Sequence, residues 1–138
     1  MKTIKFDSGV RAYRLGCGVL RFNPTDPNLY ARFLEAAEKI RQVEASLAGN
    51  SQDVSALELL GNADRQLKQI LTWVFGGEND FEALLGGVNL LAVAENRQRV
   101  ITNLISALEP YLLEGIRSYV QESTDAAVAQ AQARRAAQ

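Results

Sequence analysis

Histidine is missing from this chain of 138 residues, and cysteine, methionine and tryptophan occur once each. Without imidazole, the commonest general base and the commonest nitrogen ligand for metals are both gone. The single Cys17 can form no internal disulfide and cannot supply the thiolate set of a zinc site. A lone cysteine fits a reducing compartment. Neither sign of charge is in excess: 15 Lys/Arg oppose 16 Asp/Glu, a net charge of -1. No overall field therefore draws the chain to nucleic acid or to an anionic membrane. No window reaches the ~18–20 uninterrupted apolar residues of a membrane span. The start, Met1-Lys2-Thr3-Ile4-Lys5-Phe6-Asp7, alternates polar and apolar residues and lacks the apolar core of a signal peptide. The expected address is the cytoplasm, with no metal, no cofactor and no catalytic residue.

What is present is patterning. With 47% hydrophobic residues, a chain of this size can bury one sizeable core. The most informative stretch is Arg21-Phe22-Asn23-Pro24-Thr25-Asp26-Pro27-Asn28-Leu29-Tyr30-Ala31-Arg32-Phe33. Pro24 and Pro27 force Asn23 and Asp26 to stay extended. Pro27 suits the first helical position, where its missing amide hydrogen would have had no partner, and Asp26 has the side chain of an N-cap. Before this corner, residues 1–22 carry period-2 signals in three short runs: Ile4 and Phe6, then Val10 to Leu15, then Val19 to Phe22. Asp7-Ser8-Gly9 and Gly16-Cys17-Gly18 separate them, which predicts an antiparallel β-meander.

From Asp26 the period becomes helical. The first stripe is Leu29, Phe33, Ala37, Ile40, Val43 and Leu47, ended by Gly49-Asn50. A second helix should begin near Asp53 or Ser55, where Ser55 and Glu58 have capping-box spacing, and run to Gly76-Gly77. Its stripe is Leu57, Leu60, Leu67, Ile70, Leu71 and Val74. A short third helix is expected over roughly 80–85, and Asn89 can cap a fourth that carries Val93, Val100, Ile101, Leu104, Ile105 and Leu108. Pro110 interrupts this pattern, so Tyr111, Leu112, Ile116, Tyr119 and Val120 form a kinked extension or a fifth helix. Residues 124–138 reduce largely to Ala, Gln and Arg and read as a frayed helix or a disordered tail. The predicted class is α+β, mainly α: one domain over 1–123, with a β-meander (1–22), a bundle of four to five helices (26–123) and the tail.

Several places could hold chemistry. Glu78, Asn79, Asp80 and Glu82 form the densest acidic cluster, but they lack the alternate spacing and distant bidentate glutamate of a calcium loop. Asn79 or Asp80 reads instead as a helix cap. Cys17 between two glycines has no base to activate it, and a turn explains both glycines. Gly76-Gly77 and Gly86-Gly87 lack the lysine and hydroxyl of a phosphate loop and read as helix stops. Trp73, Phe75, Phe22, Tyr30 and Phe33 could stack on bases beside arginine, yet balanced charge favours core packing, and Arg134-Arg135 is too short a basic run to change that.

The order of features resembles a family of small proteins from tailed bacteriophages of Gram-positive hosts, the tail assembly chaperones. The resemblance lies in Ile4-Lys5-Phe6-Asp7-Ser8-Gly9, in the proline corner feeding Tyr30-Ala31-Arg32-Phe33, and in Trp73-Val74-Phe75-Gly76-Gly77-Glu78-Asn79 followed by a segment of leucine and glycine. It implies a non-enzymatic protein of the bacterial host cytoplasm that binds the long tape-measure protein, keeps it soluble and helps tail-tube subunits polymerise around it. In such families a ribosomal frameshift can append a second domain; the end at Gln138 would suit the short form. The alternative is another small phage module, of connector or head-completion type, that forms a homo-oligomer and satisfies its own apolar stripes. Neither reading calls for nucleic acid or a membrane. The resemblance carries no residue-level partner-binding motif.

With only scattered carboxylates as ligands, a chelator should leave the melting temperature unchanged. A large fall on adding EDTA, measured by circular dichroism, would show a metal the residues do not advertise.

Overall fold

The computed structural model describes residues 1–47 and 54–137. Two strands, β1 (Arg11–Leu15) and β2 (Gly18–Phe22), are followed by α1 (Pro27–Ser46), α2 (Val54–Phe75), α3 (Phe81–Leu84) and α4 (Val100–Ala136). The class is α+β, mainly α, as the two periodicities require.

The strands pair antiparallel with Tyr13 opposite Leu20 and Leu15 opposite Gly18. Gly16, at φ 54°, supplies the left-handed residue of the two-residue turn. Leu20 and Phe22 are buried on one face of the hairpin, and the Tyr13 ring stacks on Phe22 with centroids 4.7 Å apart. The meander is therefore a hairpin. Residues 1–10 form no strand, and Ile4 and Phe6 remain 88% and 80% exposed. The reason lies in the turn at Asp7-Ser8-Gly9, which does form. The Gly9 N–H donates to Asp7 Oδ1 at 2.9 Å, Asn23 Nδ2 donates to the Ser8 carbonyl at 3.0 Å, and Gly9 takes φ 75°. That turn pins the chain beside the end of β2 and leaves the preceding segment without a strand to pair with.

The corner folds as its prolines dictate. Asn23 Oδ1 accepts from both the N–H and the hydroxyl of Thr25, Asp26 is the N-cap of α1 with Oδ1 accepting from the Asn28 N–H at 2.9 Å, and Pro27 opens the helix. Leu29, Phe33, Ala36 and Ile40 are the buried stripe of α1; Ala36 takes the inward place and Ala37 is exposed. The expected stop at Gly49-Asn50 lies outside the described residues, as does Asp53. Ser55 lies inside α2 and is no cap, because the helix already includes Val54. On α2 the buried line is Ala56, Ala63, Leu67, Leu71 and Val74, while Leu57 is 66% exposed.

The fourth helix starts at Val100, not at Asn89. Asn89 Oδ1 does accept a cap-like bond from the Leu91 N–H, but the chain then turns back on itself. Ala94 N–H donates to the Gln98 carbonyl, Val100 N–H donates to the Ala92 carbonyl, and Arg97 sits at φ 66°. The polar run Glu95-Asn96-Arg97-Gln98 offers no apolar side chain at helical spacing, and Asn96 Oδ1 captures the Gln98 N–H as an Asx turn does. Once begun, α4 passes Pro110 without ending, so no fifth helix forms. Pro110 is exposed on α4.

One core joins these elements. Phe22, Phe75 and Phe81 meet ring to ring at 5.1 and 5.8 Å, with Leu20, Leu67, Leu90, Ile101 and Leu112 buried around them. Among the described glycines the tightest approach is that of Gly115, the last buried residue of α4: a Cβ there would lie 1.9 Å from the Pro24 carbonyl oxygen. Helix propensity alone says that Gly→Ala inside a helix stabilises by about 1 kcal/mol. For Gly61, in α2, a Cβ would meet nothing within 4 Å, and Gly61→Ala should raise stability accordingly. Gly115→Ala should instead destabilise, by roughly 1–3 kcal/mol, because α4 must lift off the proline corner. Urea melts of the two variants should move in opposite directions.

Candidate functional site

The acidic cluster forms a clasp. Asp80 caps α3, with Oδ1 accepting from the N–H groups of Glu82 and Ala83 at 3.0 and 3.3 Å. Asn79 does something composition does not announce. Its side chain is buried beside β2, where Oδ1 accepts from the Arg21 N–H and Nδ2 donates to the Arg21 carbonyl, each at 2.9 Å. A second Nδ2 bond, also 2.9 Å, reaches the Phe75 carbonyl at the end of α2. A carboxamide thus takes the place of a neighbouring strand for Arg21 and closes a helix end with its remaining hydrogen.

Glu82 joins a second polar group. Lys68, only 7% exposed, donates through Nζ to Asp64 at 2.9 Å and to Glu82. Asp64 turns its other oxygen to the Leu90 N–H at 2.8 Å, holding the loop after α3 against α2. Burial alone would lower the Lys68 pKa, but the Glu82 and Asp64 carboxylates outweigh it and hold the ammonium above its ordinary value. Among the described residues, no three His, Cys, Asp or Glu side chains are placed to hold a metal ion.

The two glycine motifs meet each other. Cys17 N–H donates to the Leu84 carbonyl at 2.9 Å, and a Cβ on Gly16 would come within 2.4 Å of that same oxygen. A Cβ on Gly86 would sit 3.1 Å from Cys17 Sγ. These glycines let the hairpin turn seat on the end of α3, and Cys17 remains exposed beside them. Phe22, Phe33 and Phe75 are core, whereas Trp73 is 43% exposed and lies under the Lys39 ammonium, 4.5 Å from the ring centroid. Arg134 and Arg135 occupy the last turn of α4, where cations complement the helix dipole.

Two exposed features stand apart from this packing. Every residue from Arg117 to Ala137 is exposed, although the helix runs through to Ala136. This arm carries Tyr119, Val120 and Val128 at 41%, 57% and 49% exposure, and they border a shallow apolar groove completed by Ser123, Ala127 and Ala131. No helix among the described residues is long and apolar enough to cross a membrane. The second feature is electrostatic. Residues 1–21 hold five of the 15 Lys/Arg (Lys2, Lys5, Arg11, Arg14 and Arg21, all exposed) and one of the 16 acids. The whole-chain net charge conceals a basic hairpin end and an acidic helical body. A running charge count along the chain would have found it.

Comparison with protein-family models, curated proteins and solved structures gave no match.

Removing the Lys68 ammonium leaves the nearly buried Asp64 carboxylate with the Leu90 N–H and no cation. Lys68→Ala should cost about 3 kcal/mol, the low end for a broken buried pair because Glu82 stays in solvent contact. Glu82→Gln should cost far less. Because the folded Lys68 pKa is raised, the pair's contribution is full below the unfolded value of 10.5 and is lost as pH climbs through the folded one. Urea melts of the parent at pH 7 and 9 should therefore show no loss assignable to this pair, and Lys68→Ala should be equally destabilised at both.

Proposed function

We propose that the protein is a non-enzymatic tail assembly chaperone of a tailed bacteriophage, which binds the tape-measure protein in the host cytoplasm during tail morphogenesis. The observation that carries this reading is the α4 arm: a helix with an apolar face that nothing in its own fold covers. An extended, helix-rich client would present amphipathic stripes of the same kind, and a helix laid along such a face is an established recognition mode. The residue patterns at the proline corner and at Trp73-Val74-Phe75-Gly76-Gly77 point to the family; the arm supplies the surface. The buried part of α4 is unsuited to the task, since Ile101, Leu104, Leu108 and Leu112 already fill the core.

Co-expression with the tape-measure protein of the same phage should convert that client from insoluble to soluble, with the two co-purifying. Val120→Asp should abolish the co-purification and leave the thermal melt of the chaperone unchanged, because Val120 is already more than half exposed. A client that stays insoluble with the folded protein in excess would sink this reading and move the connector type of module ahead of it.

A further inference from the structure

The arm of α4 has a relief that fits a copy of itself. Side chains four residues apart form continuous rows along a helix. One row runs Ile116, Val120, Thr124 and Val128; the neighbouring row opens on Tyr119 and is small beyond it, with Ser123, Ala127 and Ala131. A bulky row beside a small one is a ridge beside a groove, so two such helices related by a two-fold axis can each seat a ridge in the other's groove. We infer that two copies of this chain pair through their α4 arms, antiparallel, over the stretch from about Glu114 to Arg135.

Charge sets the direction. Glu114, Glu122 and Asp125 against Arg117 leave the first part of the arm acidic, whereas the final turn holds Arg134 and Arg135 and no acid. Two parallel arms would place like charges side by side. An antiparallel pair centred near Thr124 and Asp125 brings Arg134 and Arg135 of each copy alongside Glu114 of the other, twice by symmetry. Opposed helix dipoles favour the same arrangement. The basic N-terminal segment, with its exposed Ile4 and Phe6, is another unpartnered apolar element. A copy docking there would set Lys2 and Lys5 of one chain near the exposed Arg11 and Arg14 of another if strands paired with strands, and that repulsion disfavours it.

The pairing does not rest on the chaperone reading and is measured without any client; because it covers the same face, a client helix would have to displace the second copy. Sedimentation equilibrium of the full chain should show a concentration-dependent dimer. Val120→Asp should return it to monomer, with a melt that matches the parent's at concentrations too low for the parent to pair. Glu114→Arg alone, and Arg134→Glu with Arg135→Glu, should each weaken the dimer about three- to tenfold at low salt, in keeping with exposed ion pairs. The three changes together should restore it. A chain that remains monomeric up to about 1 mM would overturn the inference. So would a dimer indifferent to Val120→Asp but lost on removing residues 1–7, or charge changes that fail to compensate.

Discussion

A single buried carboxamide ties the strands to the helices. A two-stranded hairpin is marginal in water unless one face packs and its free edge is managed. Leu20 and Phe22 meet the first need, and Asn79 meets the second at the edge of β2, from a loop. It offers Arg21 one acceptor and one donor, as a third strand would, and gives its remaining hydrogen to the Phe75 carbonyl. The aromatic chain from Tyr13 through Phe22 and Phe75 to Phe81 takes the same path through the core. An aspartate at position 79 would lose both donated bonds, and a leucine would leave the Arg21 and Phe75 polar groups dry and unpaired. The hairpin is thereby fixed to the junction of α2 and α3, and the proline corner is carried with it.

Much of this is legible from residue order. Pro24, Asp26 and Pro27 act within four residues of one another, and local chemistry of that kind reads directly into a cap and a helix start. Stripes such as Leu29, Phe33 and Ile40 succeed because the helical period is a local property that burial reinforces. The departures share a different cause. Ile4-Lys5-Phe6 has strand alternation, but a strand exists only with a partner, and the Asp7-Ser8-Gly9 turn denies it one. Asn89 has a cap's chemistry and makes a cap's bond, yet the residues after it decide whether a helix propagates. At Pro110 the sequence leaves an extension and a fifth helix both open, and the extension forms because a long helix held by packing on its N-terminal side tolerates one missing hydrogen bond.

Contacts between distant segments are the least legible. Nothing around Gly115 in the sequence announces Pro24, 91 positions earlier, and nothing around Asn79 announces Arg21. Lys68 and Asp64 stand one helical turn apart and read as an ordinary surface pair, but the loop at Leu90 buries them. The apolar groove on the α4 arm is hidden for a related reason. Its alanines and its serine carry little weight in a hydrophobic pattern, and only the isolation of the helix shows that they form a surface.

That isolation has a hydrodynamic consequence. A helix of 37 residues is about 55 Å long at 1.5 Å per residue, while a compact body of ~100 residues has a radius of gyration near 13 Å. Beyond Gly115 roughly 30 Å of α4 stands clear of that body. The molecule is a knob on a rod, and it experiences more friction than a sphere of 15.1 kDa. Calibrated against globular standards, a gel-filtration column will report a single copy as too large, and elution volume alone will not separate an elongated monomer from a pair.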